Sequence, residues 1–289
     1  MYKFFIFTLF FKFLFLYVSN SAFAYGNSTK SFTKNEDMKP SYFLDSEEME
    51  LPWKNALIRI PLLNQAPYKG SIKNLKGDES FLKSKYKTIL YLHGCSGMWS
   101  GELARLDFFA KSGFAVIAPL SLARTKYPMS CDPPSYKAGL YRDTLKLRQI
   151  DAKHAMLKIK SLDWVDHNNI FLVGFSEGGI AAATYNPESI EFSFKGRIIE
   201  GWTCAKNTDW EEYRGVNNPY DEPILSLVAE KDPWFLAEYL QGHCGEFLNR
   251  NIKSKSIVVN DPLLAHQHGL LHHSNIQKTV LEFLKSVID

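Results

Sequence analysis

Short runs of apolar and β-branched residues alternate with helical patterns along most of the chain. The runs are continuously apolar, which is typical of strands in a sheet covered on both faces. Strands alternating with helices predict an α/β domain with a mostly parallel sheet of about eight strands and helices on both faces. Seven runs predict individual strands: Ala56–Ile60, Thr88–Leu92, Phe114–Ala118, Ile170–Val173, Arg197–Gly201, Ile224–Ala229 and Ser256–Val259.

Three helical patterns accompany these runs. The first ends at Gly113, the second covers Leu140–Leu162, and the third begins at Ser274. Gln277 lies three residues after Ser274, which is the spacing of a capping box. Ligands of such sheets bind beyond the carboxyl ends of the strands, so we expect the chemistry of this protein there.

The first 24 residues have the pattern of a secretory signal peptide. Lys3 precedes an apolar stretch, and Ala22 and Ala24 form the small-residue pattern of a cleavage site. The uninterrupted apolar run Phe13–Val18 is shorter than the roughly 20 residues that span a bilayer. We expect residues 1–24 to be removed and the protein to be periplasmic or secreted, with no stable membrane span. A retained membrane anchor is the alternative.

The segment 25–50 is polar and rich in lysine and glutamate. It has few periodic apolar positions, which predicts a flexible mature N-terminus. The pattern of strands and helices begins after it, so we predict a single catalytic domain over residues 51–289.

Composition and charge narrow the classes of partner. The 289 residues are 45% hydrophobic and 22% charged, values typical of a globular protein with a sizeable core. Removing Lys3 and Lys12 with the leader from the 34 basic residues leaves 32, against 31 acidic ones. A nearly neutral chain produces no strong field, so neither nucleic acid nor an acidic membrane surface is an expected partner.

The strongest chemical signal is the sequence GFSEGG at residues 174–179. It follows the strand IFLVG and precedes the small-residue sequence IAAATY. A strand, a tight turn with serine, and a helix form a nucleophile elbow, in which Gly174 and Gly178 would avoid clashes around Ser176. The helix that follows would point its N-terminal amides at developing negative charge. The alternative is a glycine-rich connection without catalytic function.

The sequence LHGCSG at residues 92–97 directly follows the predicted strand TILYL. In enzymes with a nucleophile elbow, a loop at this place supplies one amide of the oxyanion hole. We predict that the backbone N–H groups of Cys95 and Glu177 form that hole. An ordinary strand-to-loop turn is the alternative. His93 precedes the nucleophile in a glycine turn, and we interpret it as a packing residue of the loop.

The acid of a catalytic triad should follow the nucleophile, near the end of a later strand. The sequence ILSLVAEKDPWF places Asp232 in the loop after such a strand. A carboxylate there could orient a histidine and stabilise its imidazolium form. Glu230 and Glu200 are rival acids, and a turn residue before Pro233 is the structural alternative for Asp232.

The base should lie between the last strand and the last helix, where four histidines cluster. His268 precedes Gly269, which leaves room for a tight loop beside the elbow, so we prefer His268 to His266. His272 and His273 flank the helix cap and are interpreted as solvated. The H-x-H pair could ligate zinc, but no matched carboxylate or cysteine spacing supports a metal site.

Together these motifs resemble the α/β-hydrolase superfamily, and within it exported members of the dienelactone-hydrolase-related group. The resemblance covers roughly residues 55–289 and rests on LHGCSG, KSGFAVIAP, DWVDHNNIFLVGFSEGG, VAEKD and HQHGL. It implies the α/β-hydrolase fold and the roles given above to Cys95, Ser176, Asp232 and His268. Dienelactone hydrolases themselves have a cysteine nucleophile, so the serine at position 176 makes a general ester, thioester or lactone hydrolase the better expectation.

The resemblance also implies which of the four cysteines pair with each other. Four cysteines allow three full pairings, and export would place them where disulfides persist. The strand order of the family puts Cys95 near Cys131 and Cys204 near Cys244, at the carboxyl edge of the sheet. We therefore predict these two disulfides, with a free thiol at Cys95 as the alternative.

These residues predict a serine hydrolase that acts on a small ester-like molecule through an acyl-enzyme intermediate, with no cofactor and no metal. Four aromatic residues that follow strand ends could line its substrate cleft, with ordinary loop packing as the alternative for each: Trp99, Tyr127, Trp202 and Trp234. A non-catalytic binding protein on the same fold is an alternative, as is an acyltransferase or peptidase with the same triad. The substrate and the oligomeric state stay open.

Overall fold

A computed structural model describes residues 44–77, 79–127, 129–141, 143–205, 213–248 and 251–288. Within them lies one sheet whose strands are β1 (Leu57–Ile60), β2 (Tyr68–Ser71), β3 (Tyr86–Leu92), β4 (Ala115–Ala118), β5 (Val165–Phe175), β6 (Gly196–Glu200), β7 (Ile224–Ala229) and β8 (Lys255–Val259). Their order across the sheet is β2-β1-β4-β3-β5-β6-β7-β8. β1 pairs antiparallel with β2 and β4, and every other neighbouring pair is parallel. The predicted leader and most of segment 25–50 lie outside the described residues.

The sheet confirms the prediction of a mostly parallel, eight-stranded architecture. All seven predicted strands are present within a few residues of their predicted bounds. The pattern does not predict β2, whose sequence YKGS is short and polar. β2 lies at the edge of the sheet, where three of its four residues are partly or fully exposed. An edge strand of this kind lacks the continuous apolar run by which the buried strands are recognised.

Five helices accompany the sheet in the described part of the chain: α1 (Ser46–Lys54), α2 (Ser100–Lys111), α3 (Thr144–Ile159), α4 (Glu177–Thr184) and α5 (Ser274–Ile288). The side chains of β3 alternate between two cores. Leu90 contributes to the core that also contains residues of α1, α3 and α4, whereas Ile89 contributes to the core with residues of α2 and α5. Helices therefore cover both faces of the sheet, as predicted. None of the described helices is both long and apolar enough to cross a membrane.

Helix α1 begins inside the segment that composition predicts to be flexible. The Asp45 carboxylate caps it by accepting from the N–H groups of Glu47 and Glu48 at 2.8 and 3.2 Å. Trp53 is buried in the core, and the buried Glu48 accepts from the Thr125 N–H at 3.0 Å. These long-range contacts stabilise a polar helix that lacks a strong apolar pattern. The fold thus extends to at least Ser46, before the boundary predicted at residue 51.

Two disulfides connect loops at the carboxyl edge of the sheet. Cys95, after β3, pairs with Cys131, after the neighbouring strand β4. Cys204, after β6, pairs with Cys244, after the neighbouring strand β7. All four cysteines are described and none is free. Both pairings are those that the family resemblance implies.

A buried polar cluster lies between α2 and the sheet, on the side of the carboxyl edge. The Arg105 guanidinium donates two hydrogen bonds of 2.8 Å to the Glu200 carboxylate. Glu102 accepts from the Gly94 N–H at 2.8 Å and from the Tyr91 hydroxyl. All four side chains are buried. Burial opposes the charge of Glu102 and raises its pKa to about 7.

The raised pKa of Glu102 predicts that the contribution of this residue to stability falls as the pH rises. Between pH 4.5 and 7 the unfolded chain has released this proton while the folded chain still holds it, so the free energy of unfolding falls across that window. The difference between the ordinary pKa of 4.5 and about 7 corresponds to about 3 kcal/mol. We expect the free energy of unfolding of Glu102→Gln to fall less between pH 5 and pH 8 than that of the wild-type protein, by up to about 3 kcal/mol, as measured by urea unfolding. Glu282→Gln, at an exposed site, should leave the fall unchanged; an equal fall in the Glu102→Gln protein would contradict this.

Candidate active site

Ser176 lies in a sharp turn between β5 and α4. Its backbone has φ of 57° and ψ of −121°, a conformation that a residue other than glycine adopts rarely and at an energetic cost. A Cβ atom at Gly174 would lie 2.0 Å from the Gly178 carbonyl oxygen, and one at Gly178 would lie 2.0 Å from the Leu92 carbonyl oxygen. Only glycine fits at either position, as the nucleophile-elbow prediction requires.

A hydrogen bond to the neighbouring strand holds this turn in place. The Ser176 N–H donates to the Glu200 carbonyl oxygen at 2.8 Å, at the end of β6. It continues the parallel pairing of β5 with β6, whose last matched residues are Phe175 and Glu200. The strained serine is therefore held by the same ladder that forms the core of the sheet.

The structure places the three predicted triad residues in one hydrogen-bonded line. His268 Nε2 lies 2.8 Å from Ser176 Oγ, and His268 Nδ1 lies 2.7 Å from Asp232 Oδ2. The side chain of Asp232 is 1% exposed and that of His268 is 14% exposed. A serine, a histidine within hydrogen-bond reach and a carboxylate that orients the histidine are the parts that nucleophilic acyl transfer needs.

Asp232 also has the structural role of a turn residue before Pro233. Its Oδ1 atom accepts from the Trp234 N–H at 3.0 Å and so caps a short 3₁₀ helix. The other oxygen is thereby directed at His268. The rival Glu230 is exposed, and the rival Glu200 pairs with Arg105 instead of a histidine.

The other candidate histidines lie elsewhere. His266 is exposed, and His272 and His273 both contact the side-chain oxygen of Gln267. His93 is buried; burial and the nearby charge of Arg148 lower its pKa well below the usual value. Its ring accepts from the Ser121 N–H at 3.2 Å, which agrees with the interpretation of His93 as a packing residue.

Glu200 also holds the loop that carries His268. Its Oε1 atom accepts from the N–H groups of Leu270 and Leu271 at 2.6 and 2.8 Å. Burial opposes its charge, but Arg105 and these two N–H groups outweigh that effect and lower its pKa. From its position in the sequence, Glu200 is expected only as a rival acid, and this second role is not predicted. A carboxylate at the carboxyl end of a strand that is buried throughout is the signal that marks it.

The predicted oxyanion residues lie on two different elements next to the nucleophile. Glu177 is the first residue of α4, so its N–H has no acceptor within the helix. Cys95 is buried in the loop after β3. A Cβ atom at Gly94 would lie 3.4 Å from Ser176 Cβ, so this loop packs directly against the nucleophile.

Trp234 is the aromatic residue of the sequence-based set that lies beside His268. Its ring packs against the His268 ring with 5.4 Å between centroids, and the half-exposed Tyr136 packs against Trp234 at 5.7 Å. Trp202 and Tyr127 are buried, which favours the packing alternative for these two residues. Tyr127 instead donates a hydrogen bond to Glu177. Position after a strand end does not reveal which way a side chain points.

No protein-family model matches the chain, and no curated protein is significantly similar to it. Solved structures do match. Est1E from Butyrivibrio proteoclasticus, in a structure with ferulic acid bound, is 14% identical, and the match covers 81% of this chain and 95% of that one with a TM-score of 0.50. A protein assigned as a dipeptidyl aminopeptidase IV, from Bacteroides ovatus, is 13% identical, and the match covers 80% of this chain and 33% of that longer one with a TM-score of 0.51.

A third solved structure is MGS-M1, described as an α/β-hydrolase enzyme from a Medee basin deep-sea metagenome library. It is 15% identical, and the match covers 82% of this chain and 99% of that one with a TM-score of 0.43. The strand order and the nucleophile elbow are found in this chain independently of any match. Taken with the two higher-scoring matches, they show that the chain has the α/β-hydrolase fold, as its motifs predict.

Proposed function

We propose that this protein is a serine hydrolase that cleaves a carboxylic ester, lactone or thioester through an acyl-enzyme intermediate. The observation that supports it most strongly is the line of hydrogen bonds from Asp232 through His268 to Ser176. The strained turn at Ser176 supports it further, because such strain is characteristic of nucleophile elbows.

In the acylation step, His268 Nε2 accepts the proton of the Ser176 hydroxyl while the serine oxygen attacks the carbonyl carbon of the substrate. The carbonyl oxygen becomes an oxyanion, which the N–H groups of Cys95 and Glu177 stabilise. His268 then gives its proton to the leaving alcohol or thiol. The C–O or C–S bond of the substrate breaks, and the acyl group stays on Ser176.

In the deacylation step, water replaces the leaving group. His268 accepts a proton from the water, whose oxygen attacks the acyl carbon, and the proton then returns to Ser176 as the acid is released. Asp232 orients the imidazole through Nδ1 and stabilises its positive charge in both steps. The proposed route needs no cofactor.

The substrate is proposed to be a small molecule. Trp234 and Tyr136 form an aromatic surface beside His268, on which a planar or apolar acyl group could pack. Est1E is described with ferulic acid bound, and it is a distant match. Esters of aromatic acids are therefore the first substrates to test, beside simple nitrophenyl esters.

We expect a fluorophosphonate probe to label the purified protein at Ser176. An activated serine attacks the probe as it would attack an ester, so Ser176→Ala should abolish labelling. Ser135→Ala is a matched control, because Ser135 is an exposed serine in a neighbouring loop, and it should label at the wild-type rate. A well-folded wild-type protein that does not react would contradict the proposal and favour a non-catalytic binding protein.

Loss of either triad partner should slow hydrolysis strongly. We expect roughly 10⁴-fold lower kcat for Asp232→Asn and up to about 10⁶-fold lower kcat for His268→Ala in an ester assay. Asparagine at position 232 can still cap the Trp234 N–H with its side-chain oxygen, and its NH₂ group would then face His268 Nδ1. The loss would therefore come from the missing charge and the wrong imidazole tautomer rather than from an altered turn. His266→Ala is the control and should keep wild-type kcat; a similar loss there would overturn the choice of base.

The protein is also proposed to be exported, with residues 1–24 removed. The two disulfides support export, because disulfides persist in oxidising compartments. Intact-mass measurement of protein from the cell envelope or medium should show the loss of residues 1–24. Reduction should then add the mass of four hydrogens, two for each disulfide. An intact N-terminus, or an unchanged mass after reduction, would contradict the proposal.

A further inference from the structure

Residues that follow β4 contact both residues whose amides are proposed to form the oxyanion hole. On one side, the Glu177 carboxylate accepts from the Tyr127 hydroxyl at 2.7 Å and from the Ser130 hydroxyl. Tyr127 and Ser130 are buried, and the Glu177 side chain is 12% exposed. The side chain of Glu177 is thus fixed at both of its oxygen atoms.

On the other side, the disulfide joins Cys95 directly to Cys131, with 5.9 Å between the two Cα atoms. Both cysteines are buried, at 5% and 4% exposure. Ser130 and Cys131 are adjacent in the chain, so two successive residues bind Glu177 and Cys95. We call Ser130 and Cys131 the clamp.

Arg148 of α3 contacts both the loop after β3 and the side chain of Glu177. Its guanidinium donates to the His93 carbonyl oxygen, and its Nε atom lies 3.9 Å from the Glu177 carboxylate. A carboxylate next to a developing oxyanion would work against catalysis unless its charge were balanced. Arg148 and the two hydroxyl donors provide that balance, so Glu177 can be held firmly without an uncompensated charge.

We propose that the clamp fixes the positions of the Cys95 and Glu177 amides and so makes Ser130, Cys131 and the Glu177 side chain positioning residues for the oxyanion hole. This inference rests on the proposed serine-hydrolase function. Oxyanion donors act only within about 3 Å of the oxygen that becomes charged. A small shift of either amide would therefore weaken binding of the transition state while leaving the bound substrate nearly unaffected.

The second disulfide offers a matched control for a purely stabilising role. The two disulfides have sequence separations of 36 and 40 residues, so their loop-closure entropies are nearly equal. Cys244, however, joins Cys204, which is not an oxyanion residue. Cys131→Ser and Cys244→Ser should therefore lose similar stability, but only Cys131→Ser should impair the chemical step.

The experiment compares kcat and KM for a nitrophenyl ester, at a temperature where thermal unfolding shows each variant to be folded. We expect Cys131→Ser to lower kcat roughly 10- to 100-fold, less than or equal to the loss of a whole oxyanion donor, with KM within about twofold. Cys244→Ser should keep kcat within about twofold. Inhibition by an aryl boronic acid, whose tetrahedral adduct occupies the oxyanion hole, should weaken in parallel with kcat.

Substitution of Glu177 provides a second test of the clamp that leaves both disulfides intact. Glu177→Ala should lower kcat as Cys131→Ser does, and Glu177→Gln should recover part of the loss, because glutamine can still bind the Tyr127 and Ser130 hydroxyls. Wild-type kcat in both Cys131→Ser and Glu177→Ala would overturn the clamp, as would an equal loss in Cys244→Ser. Labelling of Ser176 in the wild-type protein tests the proposed function separately. If Ser176 is not labelled, both the proposed function and the clamp are contradicted.

Discussion

Glu200 joins the nucleophile and the histidine loop through two different parts of the same residue. Its carbonyl oxygen accepts from the Ser176 N–H, and its carboxylate accepts from the N–H groups of Leu270 and Leu271, just after His268. A serine with positive φ persists only when the surrounding structure over-determines it. Because Glu200 belongs to a central strand, the relative position of nucleophile and base is set by the sheet itself rather than by the loops.

Placing a carboxylate in the core has a cost that the rest of the cluster must offset. Arg105 does so with two hydrogen bonds of 2.8 Å to Glu200. Such a buried pair contributes little net stability compared with apolar packing, but loss of one partner costs roughly 3–5 kcal/mol. The same helix supplies Glu102, which accepts from the Gly94 N–H beside the proposed oxyanion residue Cys95. Helix α2 thus contacts the oxyanion loop through Glu102 and, through Arg105, the residue that holds the His268 loop.

The features that could be predicted from sequence are those encoded locally. The elbow has its own glycines, and the positions of Asp232 and His268 after the last strands make them the preferred acid and base over their rivals. Glu200 is different, because its role depends on Arg105, which is 95 residues away in the chain. The direction of a side chain is equally non-local: Trp202 and Tyr127 follow strand ends, as Trp234 does, yet both are buried. Helix α1 is not predicted from the sequence for the same reason, because Glu48 is held by Thr125, 77 residues further along the chain.

The nucleophile and the oxyanion loop are held in place by different interactions. On the nucleophile side, the parallel ladder continues to Phe175 and Glu200, and the Ser176 N–H extends it by one further bond. Between β3 and β4 the matched residues end at Leu90 and Ile117, several residues before the oxyanion loop and the clamp. Beyond that point, no strand pairing joins these two loops to each other among the described residues. The Cys95–Cys131 disulfide supplies the missing constraint where the backbone pairing stops, and it does so at the position where a displaced amide would matter most for the proposed reaction.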